Sequence, residues 1–312
     1  MTAGSPSPGV DPLQAAIEAG HGQATDLPLD SHLHTTLSPD SDVPIDVFAA
    51  QAVARRIPEI AITDHVDFDP RGPAYAYVSF EDREREVREA ADRWAPRGVA
   101  IRFGVEITYQ RDHEDAIRTH LARHRYDFVI GSVHVTADSP YRHDRVAAWI
   151  GGRSLPEIVA PYFAEVRSAA RSGLFDTIGH LDFVKRYVVP YVLPADFAAA
   201  PELYEPLLVA LVESGTALEV NASGLRQAAR ETYPSAAVVR RFRELGGRAV
   251  TAGSDAHRAD AFAFALDEAY RHAMRAGFAS LAFRRGGLPI EIAIPAATLD
   301  DDSPNGSRDR SL

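Results

Sequence analysis

"DSHLHTTLSPDSD", residues 30–42, sets two histidines one residue apart at the end of a short apolar run and follows the second, six residues later, with Asp40. Taken with the preceding residues, "LPLDSHLH" (27–34) reads as a strand. Side chains two apart on a strand point to the same side, so His32 and His34 share a face. Such a pair can grip one cation or two adjacent cations. Burying two imidazoles there with no polar partner would be costly.

The same grammar recurs downstream. A helical stretch from Pro44 to Arg56 leads to "EIAITDH" (59–65), a strand-like run ending in Asp64 and His65. A charged helix, "SFEDREREVREAADRW" (79–94), has apolar residues on one side only. Then "VAIRFGVEI" (99–107) delivers Glu106, a helix follows near Asp112 to His124, and "YDFVIGSVH" (126–134) ends in His134. A helix over Leu155 to Ser172 precedes "FDTIGHLD" (175–182), which carries His180. Helices over Glu202 to Ser214 and Ser235 to Leu245 bracket "TALEVNASG" (216–224) and lead into "RAVTAGSDAH" (248–257), with Asp255 and His257 at its end. About seven β-then-α units predict parallel strands with crossover helices, and so many units suggest a closed or nearly closed barrel. No self-similar period is present, which excludes a solenoid.

In a parallel barrel the strand C-termini open onto one face, where residues far apart in sequence converge. His32, His34, His65, His134, His180 and His257 would therefore meet there, joined by Glu106 and Asp255. Imidazole and carboxylate donors without thiolate suit zinc, iron or manganese. The other histidines are expected to play no such part. His120 and His124, four apart on a polar helix, read as a solvated surface pair, and His21, His113, His143 and His272 lack ligand-like surroundings.

Composition narrows the function. The 312 residues contain no cysteine, so disulfides, thiolate metal sites and a cysteine nucleophile are excluded. A formal charge of -11 argues against nucleic acid as a partner. No apolar run approaches the ~20 residues of a membrane span, and "MTAGSPSPGVDPL" is no secretory signal. A cytoplasmic location is the expectation. Residues 1–26 and 299–312 read as tails around a single domain over 27–298. Basic charge is almost all arginine, with Lys185 the one lysine.

The ordered series "HLH", "TDH", "GVE", "GSVH", "GHLD", "GSDAH" resembles the polymerase-and-histidinol-phosphatase family of metal-dependent phosphoesterases over roughly residues 28 to 295. "HTTLSPDSD", "FGVEITY", "GHLDFVKRY" and "EVNASGLR" further resemble its histidinol-phosphatase branch. The resemblance implies a distorted (β/α)7 barrel, TIM-like, with three divalent metal ions (Zn, Mn or Fe). It assigns His32, His34, Glu106 and Asp255 to one metal, His134 and His180 with a bridging Glu106 to a second, and Asp40, His65 and His257 to the third. Asp40 stands where the family often has histidine. Asp64 is expected to orient a ligand or hold its loop.

The implied chemistry is hydrolysis of a small phosphorylated substrate, L-histidinol phosphate, by a hydroxide bridging metals. Asp255 or His257 would supply the proton that the leaving alkoxide needs. Arg226, Lys185 and Arg186 are candidate phosphate contacts. The rival readings are a phosphoesterase acting on nucleotides, oligonucleotides or phosphotyrosine, and a barrel that has lost its metals. Oligomeric state is not legible.

Overall fold

The computed structural model describes residues 25–189 and 191–296. The expected tails lie outside these residues, apart from Thr25 and Asp26. Those two are tied to a helix end. The Thr25 N–H donates to Arg55 O at 3.1 Å, and Arg56 pairs with Asp26 at 2.7 Å.

Eight strands form the main sheet: β1 (Asp30–Leu33), β2 (Glu59–Ile62), β3 (His65–Val66), β4 (Ala100–Thr108), β5 (Phe128–Ser132), β6 (Thr177–Ile178), β7 (Ala217–Asn221) and β8 (Val250–Gly253). Seven of them pair in parallel in the order β1-β2-β4-β5-β6-β7-β8, while β3 carries the second position onward and pairs with β4. The ends of this path meet. Leu33 and Ala256 form a parallel bridge, the His34 N–H donates to Ala256 O at 3.0 Å, and the Asp255 N–H donates to His32 O at 2.9 Å. This is the nearly closed barrel expected from the alternation, in the distorted (β/α)7 form that the resemblance implies.

Local signals explain the helices. In the helix Phe80–Trp94, the buried residues Arg83, Val87, Ala90 and Trp94 recur at helical spacing. Its cap, Ser79, accepts from the Asp82 N–H at 3.1 Å. The helix Leu155–Ser172 occupies its expected span. It opens on a box in which the Ser154 N–H donates to Glu157 Oε2 at 2.8 Å, and it closes on Gly173 in the left-handed region.

Strand β4 shows how the fold aims the site. Ile101, Phe103, Val105 and Ile107 are buried in the main hydrophobic core. Burying each stabilises the fold by roughly 1.5–3 kcal/mol. Arg102, Gly104, Glu106 and Thr108 alternate with them, and Glu106 is wholly buried. The ring is tight. A Cβ on Gly253 would lie 2.3 Å from His32 Cβ, and one on Gly179 would lie 2.3 Å from Ser132 Oγ, so neither position admits a side chain without a shift.

A seventh helix completes the repeat and a hairpin lies outside it. The helix Leu266–Arg275 packs on β7 and β8. The antiparallel hairpin of β9 (Ser280–Arg285) and β10 (Leu288–Ala293) brings Phe283 and Ile292 against Leu29, Ala61, Phe128 and Ile130. Glu59, at the start of β2, accepts from Arg102 at 2.5 Å and also pairs with Arg285, which fastens the hairpin to the barrel. Among the described residues no helix is long and apolar enough to cross a membrane.

Candidate metal centre

The strand ends converge as the periodicity predicts. Glu106 sits at the centre. Its Oε2 lies 3.0 Å from His65 Nδ1 and 3.4 Å from both His32 Nε2 and His34 Nε2. Its Oε1 lies 2.9 Å from His180 Nε2 and 3.4 Å from His134 Nε2. On the far side, Asp255 Oδ1 is 3.5 Å from His34 Nε2 and 3.3 Å from His257 Nδ1. Asp40 Oδ2 reaches His65 Nε2 at 3.4 Å and His257 Nε2 at 3.3 Å. All nine expected donor residues therefore stand together at one mouth of the barrel.

Neighbouring groups fix the rings. The His32 Nδ1–H donates to Glu219 Oε1 at 2.6 Å, which turns the Nε2 lone pair toward Glu106 and Asp255. Thr108 Oγ1 lies 2.9 Å from His134 Nδ1. The His257 Nδ1–H reaches Asp255 O at 3.1 Å, which leaves Nε2 facing Asp40. Asp64 does what the sequence suggested. Its carboxylate accepts from the Thr35 N–H at 2.6 Å, the Thr35 hydroxyl at 2.8 Å and the Ser38 hydroxyl at 2.8 Å, and this pins the first loop. His180 and Asp255 hold left-handed backbone, φ 25° and 55°, where non-glycine residues are strained.

The residues fit divalent cations. His32 Nε2, His34 Nε2 and Glu106 Oε2 are buried acceptors pointing at one another, and none has a hydrogen-bond partner. Donor atoms lie within 4.8 Å of one another in three sets: His34, His65 and His257; His32, His34 and Asp255; His65, Glu106 and His134. His65 is thus shared more widely than the expected grouping allowed. Electrostatics keep the carboxylates ionised and divide the histidines. Burial would raise the carboxyls of Glu106 and Asp255, but the surrounding rings, His32 foremost, hold both well below the ordinary range. Burial lowers the pKa of His34 and His134, which favours the neutral, ligating form. It would lower His32, His65 and His180 too, but the surrounding carboxylates outweigh it and raise all three, His65 to about 10, so an ion would displace a proton from each.

Above the cluster lies a cavity of about 280 Å³. Asp40, His65, His134, His180, Asp255 and His257 reach it, as do Arg186, Tyr187, Arg226, Gln110, Gln227 and Asp67. Arg186 stacks its guanidinium over Phe183 at 5.2 Å and has no carboxylate partner among the described residues. Arg226 is more constrained. One terminal nitrogen donates to Ser254 O at 2.7 Å and the other to Asp255 O, although each carries a second N–H.

Two expectations need correction. Lys185 does not reach this cavity. It is 1% exposed and its ammonium is paired with Asp182 at 2.7 Å and Glu231 at 2.5 Å. Consecutive residues on a helical turn diverge, so Arg186 faces the cavity and Lys185 does not. His120 and His124 are not a solvated pair. His124 packs on Phe80 at 4.2 Å, and His120 Nε2 hydrogen-bonds the Tyr126 hydroxyl at 2.9 Å. Glu219 was not anticipated, although an acid in the middle of the apolar run "TALEVN" was a visible signal.

A parallel barrel that gathers imidazoles and carboxylates at its strand C-termini is the architecture of a metal-dependent α/β-barrel protein. The chain belongs to the PHP domain family, whose profile matches residues 30–223. It is 29% identical over 258 residues to a probable histidinol-phosphatase of Deinococcus radiodurans, covering 82% of this chain and 96% of that one. It is 27% identical over 259 residues to the histidinol-phosphatase of Lactococcus lactis, covering 81% and 93%. A crystal structure of histidinol phosphate phosphatase from L. lactis, complexed with Zn, L-histidinol and phosphate, superposes with a TM-score of 0.74 at 24% identity, covering 84% of this chain and 98% of that one.

Proposed function

We propose that this protein is a metal-dependent phosphomonoesterase that hydrolyses L-histidinol phosphate to L-histidinol and phosphate. One observation carries the reading. Partnerless buried acceptors of His32, His34 and Glu106 face one another beneath a cavity that also receives Arg186 and Arg226. The relatives named histidinol-phosphatase over more than nine-tenths of their own length support the choice of substrate.

The donor set would hold up to three divalent ions: His32, His34, Glu106 and Asp255 around one, Glu106, His134 and His180 around a second, and Asp40, His65 and His257 around a third. Such ions supply Lewis-acid charge for the phosphoryl oxygens and an ionised water as nucleophile. The chain itself does the rest. Glu106 holds its carboxylate between the sets and sets their spacing. Arg186 neutralises phosphoryl oxygens, and Arg226 adds charge through its remaining N–H groups. The leaving alkoxide needs a proton, and the expected donors Asp255 and His257 would supply it only by relay from a water they hold, because Asp255 is kept ionised and both are assigned to ions. The substrate's ammonium needs a carboxylate outside the donor set. Among the described residues Asp67 is the one that lines the cavity, with one oxygen held by the Ala74 N–H at 2.9 Å.

The test is a substrate panel on metal-loaded protein: histidinol phosphate, a nucleoside monophosphate, phosphotyrosine and p-nitrophenyl phosphate. Histidinol phosphate should give the highest kcat/KM by about 100-fold or more, the discrimination available to a site built for polar substrate groups. Equal or higher turnover of a nucleotide would overturn the assignment.

A further inference from the structure

The chain's one lysine is buried beside the site but turned away from it. Lys185 opens a single helical turn, Lys185–Val188, in the segment after β6 that carries His180, Phe183, Arg186 and Tyr187. Its ammonium enters a separate small cavity of about 60 Å³ and sits over the rings of Phe197 at 5.0 Å and Tyr204 at 5.7 Å. There it meets Asp182 of its own segment at 2.7 Å and Glu231 of the segment after β7 at 2.5 Å. Tyr204 secures the arrangement by donating its hydroxyl to Asp182 Oδ2 at 2.7 Å.

Glu231 belongs to a loop that also carries Arg226. Reciprocal hydrogen bonds between Asn221 and Tyr233, at 3.0 and 2.9 Å, close the loop at its base. Gly224 packs so closely on the Glu231 carbonyl that an added Cβ would lie 2.1 Å from it. The loop is thus braced across its width, and a shift of Glu231 would be passed to Arg226. Two guanidiniums facing one cavity repel. Arg226 is tied to the Ser254 and Asp255 carbonyls, but among the described residues no other ion pair restrains its loop against the segment of Arg186. A cation anchored in one loop and paired with a carboxylate in the other supplies that restraint.

We propose that Lys185 is a positioning residue: through Asp182 and Glu231 it locks the loops bearing Arg186 and Arg226 together and so sets the protein's affinity for phosphate. This rests on the reading that both arginines face the phosphoryl group. A buried lysine paired in this way is weak evidence for net stability, and registry is the best-attested use of such pairs.

Two variants test it in metal-loaded protein, well below the melting temperature. Glu231→Gln keeps an acceptor for the lysine but removes the charge, and Lys185→Met keeps the stem but removes the ammonium. Inorganic phosphate binding is measured by calorimetry, and KM and kcat with p-nitrophenyl phosphate. Displacing a clamp by about an ångström should weaken phosphate binding and raise KM by roughly 10- to 100-fold, with metal content and saturated kcat near those of the parent. A purely structural role would lower the melting temperature and leave both constants of the folded fraction alone, and that result in Glu231→Gln would overturn the proposal. Because neither assay uses histidinol phosphate, the two readings fail separately. A parent inactive on histidinol phosphate whose phosphate affinity still falls in Glu231→Gln sinks only the substrate assignment. A parent active on it, with phosphate affinity unchanged in Glu231→Gln, sinks only the role of Lys185.

Discussion

His32 Nδ1 stands 2.6 Å from Glu219 Oε1, with both side chains completely buried. The carboxylate fixes the tautomer of the ring and makes its outward nitrogen a better donor. Glu219 also accepts from the His180 N–H at 2.8 Å, so it steadies a second proposed ligand. Glu219→Gln should weaken the tightest metal by about 10- to 100-fold, read by competition with a chelator. Unchanged affinity would mean that the packing of the barrel alone orients His32.

Glu106 contacts five of the six clustered histidines through its two oxygens. Glu106→Gln should therefore strip more metal than His134→Ala, which removes one donor at the rim. It should also abolish hydrolysis, because the nucleophile loses its seat between the ion sites. Elemental analysis and turnover on the same samples decide the matter. Full metal content with near-parental turnover would refute the central role of Glu106.

Most of the proposed donor set was legible in the sequence because strand alternation and barrel topology agree, while Asp40 entered through the family resemblance alone. Strand alternation places His32 and His34 on one side, and barrel topology brings the strand ends together. What lay off the strands was harder. Lys185 and Arg186 are adjacent cations, and only the phase of a short helical turn decides which of them faces the cavity. His120 and His124 looked solvated because their own helix is polar, whereas their cover comes from Phe80 and Tyr126 on other elements. The closing hairpin did leave a trace. Gly286 and Gly287 turn at φ 56° and 76° between alternating apolar residues, a hairpin signature.

His120 offers a check away from the metals. Burial first, then repulsion from His124 and Arg83, lowers its pKa from 6.5 to about 4. Between those values the unfolded chain binds the proton and the folded one does not, so acidification through this window destabilises the fold. His120→Gln keeps a hydrogen-bonding side chain for Tyr126 and removes the titration. Its denaturation midpoint should fall less than the parent's between pH 7 and pH 5, with both proteins stripped of metal. Parallel pH slopes would show that His120 titrates normally.

Arg186 and Arg226 should differ under substitution. Among the described residues Arg186 has no competing carboxylate, so Arg186→Ala should lower kcat/KM by roughly 10- to 1000-fold, the loss for one charge-assisted contact to the transition state. Arg186→Lys should recover part of this, since it keeps the charge and loses the fork. Arg226→Ala removes donors from Ser254 O and Asp255 O as well as a cavity charge. It should disturb metal content in addition to phosphate inhibition. If Arg226→Ala keeps its full metal complement, its main-chain bonds do not steady Asp255.

Asp67 tests the substrate itself. Its carboxylate lines the cavity outside the donor cluster, and the Ala74 N–H holds only one oxygen. The other oxygen is available to an ammonium group, which histidinol phosphate carries and p-nitrophenyl phosphate lacks. Asp67→Asn changes one charge and almost no volume. It should lower kcat/KM for histidinol phosphate by about 10- to 100-fold, as expected for a hydrogen bond to a charged group, and leave p-nitrophenyl phosphate hydrolysis near the parental value. Equal losses on both substrates would show that the substitution disturbs the loop or the metals. No loss on either would place the ammonium elsewhere in the cavity, with Gln110 and Gln227 the next positions to substitute.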